Sequence, residues 1–390
     1  LGEKAMPSIE GTCDPRFEQV REAFAENFDQ RGEVGAAVAV TIDGRPVIDL
    51  WGGYADQART RHWNRDTIVN VYSATKGFAA TCINRLADKG HIDLDAPVAR
   101  YWPEFAQADK GGLPVRFILS HRAGLPAIRN PLEKDALLKW NVMTAALAKE
   151  QPWWDPGTKH GYHALTMGYL LGEIVRRVTG KTIGSYCREE ISRPLGLDFH
   201  IGLEAGDDER CAEIIAAPPP PPGQPNPLAG NDDPESITMK AINNPRGALR
   251  VSTINSRAWR AAEIPAANGH TNARSMARFY GALACGGELD GVRVMSAAQI
   301  KRCYEEQSYG PDAVMYGLPS RFGLGYRLSH PKARYGPNPH VFGHTGAGGS
   351  LGFADPDARV GFGYTMNQMG SHVFLDPRVA VLLDALYASV

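Results

Sequence analysis

Apolar residues at Phe17, Val20, Phe24 and Phe28 recur at helical spacing between Asp14 and Gln30, with Pro15 suited to a first turn, so the chain is predicted to open on an amphipathic helix. Two apolar runs come next, 35–42 and 45–51, on either side of Asp43-Gly44. That dipeptide is the strongest short hairpin signal, and two antiparallel strands are predicted. Toward the other end, 341–353 and 360–366 flank the turn sequence Asp355-Pro356-Asp357, and 376–390 carries a last helical period. Between the ends, roughly 74–250, helical periods and loops dominate. They include Gly77–Lys89, apolar at Phe78, Cys82, Ile83 and Leu86 with a stop at Gly90, and Leu165–Val178 with a stop at Gly180.

The arrangement that pairs these elements most simply is a mixed α+β fold. An antiparallel sheet, built from both chain ends (12–73 with 255–390) and flanked by the N- and C-terminal helices, stands beside a largely helical part (74–254). A site would lie at their seam. The proline run Pro218 to Pro222, continuing through Gly223, Pro225 and Pro227, excludes helix and central strand and reads as a stiff surface excursion.

Composition narrows the classes. The 390 residues suffice for a large core, in two domains or one with a sizeable insertion. A net charge of −1 without blocks of like charge argues against nucleic acid and anionic membrane as partners. Cys13, Cys82, Cys187, Cys211, Cys285 and Cys303 are scattered, with no CxxC pair and no histidine cluster at ligand spacing, so neither a metal nor a cofactor is expected. They read as free thiols. With no basic-then-apolar start and no membrane-length apolar run, a cytoplasmic location is expected; Leu1 to Ala5, ahead of Met6, are set aside as a remnant.

The chemistry is concentrated at Ser73-Ala74-Thr75-Lys76, where a predicted helix begins after the extended approach 66–72. A hydroxyl and an amine three positions apart share one helical face. A serine hydroxyl is a weak nucleophile, and a lysine one turn along can take its proton if desolvation keeps the amine neutral. The helix N-terminus favours oxyanion character there. The competing reading has Ser73 as a helix cap and Lys76 as a solvated first-turn residue.

Ser73-Ala74-Thr75-Lys76, then Tyr162-His163-Ala164 after Pro156-Gly157-Thr158, then His344-Thr345-Gly346, stand in the order and rough spacing of three motifs. The chain thereby resembles the serine β-lactamase and penicillin-binding-protein superfamily, and more narrowly its class C-related, family VIII carboxylesterases. The stretches 92–98, 119–125 and 269–274 extend the resemblance over nearly the whole chain. It implies Ser73 as nucleophile, Lys76 as its activating partner and Tyr162 as a second proton-transfer group. It further implies an oxyanion hole from the backbone N–H groups of Ser73 and Ala347, with His344, Thr345 and Gly346 lining the cleft. Glycines at 346, 348 and 349 suit close approach of a substrate to a strand edge.

Alternatives stand beside these roles. Tyr162 by itself fits a half-buried aromatic, His344 a hydrogen-bonded strand residue, and Trp153 and Trp154 core packing rather than an acyl pocket. Gly348-Gly349-Ser350-Leu351-Gly352 matches a G-x-S-x-G nucleophile elbow, but the strand pattern after it predicts a hairpin instead of the strand-to-helix turn an elbow requires, so Ser350 is expected to be structural.

Two departures from the superfamily pattern bear on substrate. The third motif usually begins with Lys, a positive dock for a carboxylate, and here begins with His344, mostly neutral at pH 7. The second motif commonly ends in Asn and here ends in Ala164, losing an amide anchor. Both point to small, neutral, short-acyl esters hydrolysed through an acyl-serine. The other expectations are a β-lactamase or D-alanyl peptidase, an acyltransferase, or a catalytically silent ligand-binding homologue.

Overall fold

The structure is a computed structural model that describes residues 8–218, 233–372 and 374–390. The proline run is therefore outside the described residues from position 219 onward. The first helix occupies Glu18–Gln30, behind a short 3-10 turn at Pro15–Phe17. Strands Gly35–Ile42 and Arg45–Gly53 pair antiparallel across Asp43-Gly44, with φ of +51° and +74° at the two turn residues. Positive φ at both centres is what a tight hairpin of the right twist needs.

These strands belong to a nine-stranded antiparallel sheet assembled from both chain ends. From one edge to the other it runs Ile9–Cys13, Arg45–Gly53, Gly35–Ile42, Val360–Met366, Leu351–Asp355, Phe342–Thr345, Arg327–Leu328, Pro319–Phe322 and Ser308–Pro311. The fold class is thus the α+β arrangement expected from the pattern. One detail differs: 341–353 is not a single strand. The chain reverses at Gly346–Gly349, so Phe342–Thr345 pairs back onto Leu351–Asp355, with Thr345 opposite Leu351. Gly348 and Gly349, at φ of +86° and +128°, make that reversal accessible.

Alternation decides what covers each face. In Gly35–Ile42, Ala36, Val38 and Val40 point into a cluster with Phe17 of the 3-10 turn, Val20 and Phe24 of the first helix and Leu382 and Leu386 of the last, Pro377–Tyr387. Ala37 and Ala39 point the other way, into the larger core that includes Ala277 and Leu283 of helix Ala273–Ala284. Val360–Met366 obeys the same rule: Val360, Phe362, Tyr364 and Met366 face the terminal helices. Gly361 and Gly363 face helix Ala273–Ala284. A Cβ on Gly361 would stand 2.2 Å from the Gly281 nitrogen and 2.4 Å from the Ala277 carbonyl oxygen. One face of the sheet is therefore paved with small residues because a helix backbone lies against it.

The larger core continues through helices Thr75–Asp88, Trp140–Lys149 and Thr166–Thr179. A three-stranded sheet not foreseen in the sequence, Val69–Asn70 with His270–Thr271 and Phe199–His200, ties the approach to Ser73 into this region. The six cysteines are free thiols, four of them buried. Among the described residues no helix is long and apolar enough to cross a membrane.

Gly361→Ala is expected to destabilise the fold by roughly 1–3 kcal/mol, the usual cost of overpacking, because the atoms it meets are backbone. A urea or thermal melt that matches the parent would show that helix Ala273–Ala284 does not sit this close.

Candidate active site

Helix Thr75–Asp88 sets the first two groups. Tyr72, buried, adopts φ of +46° and turns the chain out of the extended approach, leaving Ser73 half-buried two residues ahead of the helix. Left-handed backbone at a bulky residue costs of order 1 kcal/mol or more and persists only where the surroundings hold it. The Tyr72 hydroxyl, 3.3 Å from Met369 Sδ, is one such hold. No side chain caps this helix, so Ser73 is not spent as an N-cap.

Lys76 has no exposed surface. Its Nζ lies 2.7 Å from the Ala164 carbonyl oxygen, 2.9 Å from that of Ala266 and 3.1 Å from Ser73 Oγ. A neutral amine has two N–H donors and one lone pair. Two carbonyls take the donors and the lone pair faces the serine hydroxyl. Burial, and next the charge of Arg327, push the Lys76 pKa well below its ordinary value, which favours the neutral form. Ala164 lacks an amide side chain, yet its backbone carbonyl holds the lysine.

Tyr162 arrives from the loop ahead of helix Thr166–Thr179. Its N–H donates to Asp312 Oδ1 at 2.9 Å, and the same oxygen accepts from the N–H groups of Val314 (2.9 Å) and Met315 (3.0 Å). Next to it, His163 donates through Nδ1 to the Gly161 carbonyl at 2.7 Å and accepts at Nε2 from the Leu125 N–H at 3.0 Å. The Tyr162 ring packs 4.8 Å from Lys76 Nζ and nearly parallel to Phe322. Burial raises the Tyr162 pKa, while Arg327 and the Ser73 hydroxyl pull it back, so the phenol keeps its proton at neutral pH.

Ser73, Tyr162, Thr345, Gly346 and Ala347 line one cavity of about 150 Å³, whose walls also include apolar Met315, Met369, Phe374 and Leu375 and polar Arg327, Ser350, His372 and Asp376. Several nearby amides are committed: Ala74, Thr75 and Lys76 donate to Val71, Tyr72 and Ser73, and Gly346 and Gly349 donate to Ser350 and Gly346. Ser73 and Ala347 stand outside these pairs. Gly346 must be glycine, since a Cβ there would lie 2.1 Å from Ser350 Oγ and 2.2 Å from the Val71 carbonyl oxygen.

His344 is placed differently from its neighbours. It is 1% exposed, its Nδ1 donates to the Thr345 carbonyl at 2.7 Å, and it stands behind the cavity wall rather than on it. Burial first, then Arg327 and Lys76, hold its pKa well below the usual value, so the ring is neutral. The cation at this cavity is instead Arg327, which sequence reasoning missed. Its strand pairs with Phe342–Thr345, its guanidinium carbon lies 4.9 Å from the Tyr162 ring centre and 5.2 Å from that of Phe322, and its buried Nε has no partner. The faint signal was a lone arginine closing the apolar run from Phe322 to Tyr326.

The remaining candidates are structural. Ser350 donates to the Val71 carbonyl at 3.0 Å, and the next element is strand Leu351–Asp355, not a helix. Trp153 donates to the Ala127 carbonyl at 2.9 Å, and Trp154 is buried in a small cluster with Tyr162 and Phe322.

Comparison with known proteins shows the family and the fold. The Beta-lactamase family profile matches residues 20–386. The Esterase/beta-lactamase LipL of Mycobacterium tuberculosis is 39% identical over 94% of this chain and 85% of its own. The crystal structure of a family VIII carboxylesterase superposes with a TM-score of 0.91 at 44% identity, covering 98% of this chain and 100% of that one. EstA from Arthrobacter nitroguajacolicus superposes with a TM-score of 0.85 at 32% identity and 97% coverage of each.

Ser73→Ala is expected to abolish ester turnover while Ser350→Ala keeps most of it; the reverse order would overturn the assignment. Lys76→Ala should cost nearly as much as loss of the serine, since groups acting as a unit are not additive. As Lys76 serves only when neutral, kcat/KM should hold across neutral pH and fall in acid, as pH drops through its depressed pKa. A pH–rate profile checks the sign.

Proposed function

Because the chain belongs to the Beta-lactamase family, we propose that it is a carboxylesterase that cleaves neutral, short-acyl esters through an acyl-Ser73 intermediate. The observation that carries the reading is the buried Lys76 amine, bound to two carbonyls with Ser73 Oγ 3.1 Å away at the edge of a cavity. Lys76 takes the hydroxyl proton as Ser73 Oγ bonds to the ester carbon. The oxyanion is received by the Ser73 and Ala347 N–H groups, each donor of this kind contributing about 2.7–4 kcal/mol to the transition state. As the C–O bond of the ester breaks, Tyr162 gives its proton to the leaving alkoxide and regains one from the Lys76 ammonium. Water then repeats the sequence on the acyl-serine. Thr345 and Gly346 line the substrate side, and His344 supports them from behind.

The size of the cavity supports a short acyl group. Its volume is about 150 Å³. Met315, Met369, Phe374 and Leu375 give it an apolar lining. Ser73 and Tyr162 on one cavity, with Lys76 Nζ 3.1 Å from Ser73 Oγ, support turnover over binding alone.

Arg327 favours a second reading, turnover of a β-lactam. A substrate carboxylate lost its dock when Lys became His344, and Arg327 offers a replacement cation in the same cavity.

A panel of acetyl, butyryl and octanoyl p-nitrophenyl esters with nitrocefin tests both readings. Acetyl and butyryl esters should lead; faster octanoyl or nitrocefin turnover would reverse the preference. Arg327→Met should raise KM for nitrocefin at least about tenfold, the scale of one charge-assisted hydrogen bond, and leave KM for the butyryl ester within about threefold. Equal effects on both would remove the carboxylate role.

A further inference from the structure

Behind the turn that carries Ala347, a buried guanidinium makes every hydrogen bond it can. Arg378 is the second residue of the last helix, and its side chain is 4% exposed. Its Nε donates to Asp376 Oδ1 at 2.9 Å and its Nη2 to Asp376 Oδ2 at 2.9 Å. Nη1 donates to Glu33 Oε1 and to the Gln368 carbonyl, both at 2.9 Å. The fifth donor, on Nη2, reaches the Gly348 carbonyl at 2.8 Å. Arginine has five N–H donors in a fixed fork, and here all are used.

The acceptors come from four segments, of which Asp376 and Gln368 are near Arg378 in the chain and Gly348 and Glu33 are farther away. Glu33, fully enclosed, lies just past the first helix and is also bonded by the Tyr364 hydroxyl. Gln368 lies just past strand Val360–Met366, and Asp376 caps the helix that bears Arg378. Asn27 of the first helix donates to the Arg378 carbonyl at 3.0 Å, so the backbone at this point is held as well. The Gly348 carbonyl is pinned twice, since the Gly370 N–H also donates to it at 2.8 Å. Space is tight on this side: a Cβ on Gly349 would lie 3.1 Å from Arg378 Nη2 and from Asp376 Oδ2.

The turn so held contains glycines at φ of +86° and +128°, the least restrained kind of backbone, and yet must present the Ala347 N–H in one direction. We infer that Arg378, with Glu33 and Asp376 as its buried counter-charges, is the positioning residue of the oxyanion hole, acting through the Gly348 carbonyl. Arg378 does not line the Ser73 cavity, so it touches no substrate there. The inference rests on the acyl-Ser73 reading and on Ala347 as an oxyanion donor.

Arg378→Lys keeps the charge and drops the donor count from five to three, so it cannot serve all the acceptors. In this variant, folded by circular dichroism, kcat for p-nitrophenyl butyrate should fall about tenfold to a hundredfold, the scale of a small misplacement in a site, with KM within about threefold. Phenylboronic acid, which forms a tetrahedral adduct on the serine and fills the hole, should bind more weakly by the same factor as kcat falls. Should Arg378→Lys not fold, the double variant Glu33→Gln/Arg378→Met, which removes the cation together with one anion, carries the same comparison. Unchanged kcat and boronate affinity in either folded variant overturns the inference, as does a loss confined to KM. If neither variant folds, Arg378 serves the fold alone and the inference is overturned. Fluorophosphonate labelling of the parent protein separates the two levels of argument. Labelling at Ser73 with unimpaired variants sinks only the role of Arg378, whereas an unlabelled Ser73 sinks the acyl-serine reading and this inference with it.

Discussion

An amine enclosed by two backbone carbonyls and a serine hydroxyl is the constraint on which the rest of this structure depends. In water a lysine keeps its proton to about pH 10.4, and only removal of solvent lets it act as a base at neutral pH. The enclosure has to be complete, and helix Thr75–Asp88 is accordingly buried on nearly every side. Phe78, two residues beyond Lys76, is stacked between Phe199 at 3.6 Å and Phe279 at 3.9 Å, which joins the helical region and the sheet-covering helix around the catalytic turn. The carbonyls of Ala164 and Ala266 come from two further segments. Packing and catalysis are here one requirement: whatever loosens these contacts admits water to the amine and restores its charge.

The opposite wall is built on different physics. Thr345 to Gly349 lines the cavity, is glycine-rich, reverses on itself and has little conformational preference of its own. Its geometry is imposed from outside, by strand pairing to Leu351–Asp355 on one flank and by the contact between Arg378 and the Gly348 carbonyl on the other. Between the walls, Arg327 couples the site electrostatically. It disfavours charge on Lys76 and on His344 and favours the ionised form of Tyr162, so one cation helps set the proton affinity of all three groups. The substitution of histidine for lysine in the third motif therefore does not leave the cavity without positive charge. Arg327, on the neighbouring strand, supplies it.

Much was legible without coordinates where the determining interactions are local. The helical period at Phe17, Val20 and Phe24, the Asp43-Gly44 hairpin and the alternation of Val360–Met366 are written in residues a few positions apart, and periodicity exposes them. The Ser73–Lys76 pair belongs to the same class, because helical spacing alone brings the two onto one face. What could not be read was every contact that closes over long separations. Asp312 beneath Tyr162, Arg327 beside it and Arg378 behind Gly348 are single residues with no local signature, brought to the site by strand pairing and helix docking. The reversal at Gly346–Gly349 was masked for a related reason: two short strands separated by glycines carry the same apolar pattern as one long strand. By itself, then, the sequence determined most of the elements, the α+β class and the pairing of Ser73 with Lys76 on one helical face, since these depend on spacing along the chain. Only the tertiary structure decided which of its ionisable groups are enclosed, and enclosure, by withdrawing water, is what lowers the proton affinity of Lys76 below that of an ordinary lysine.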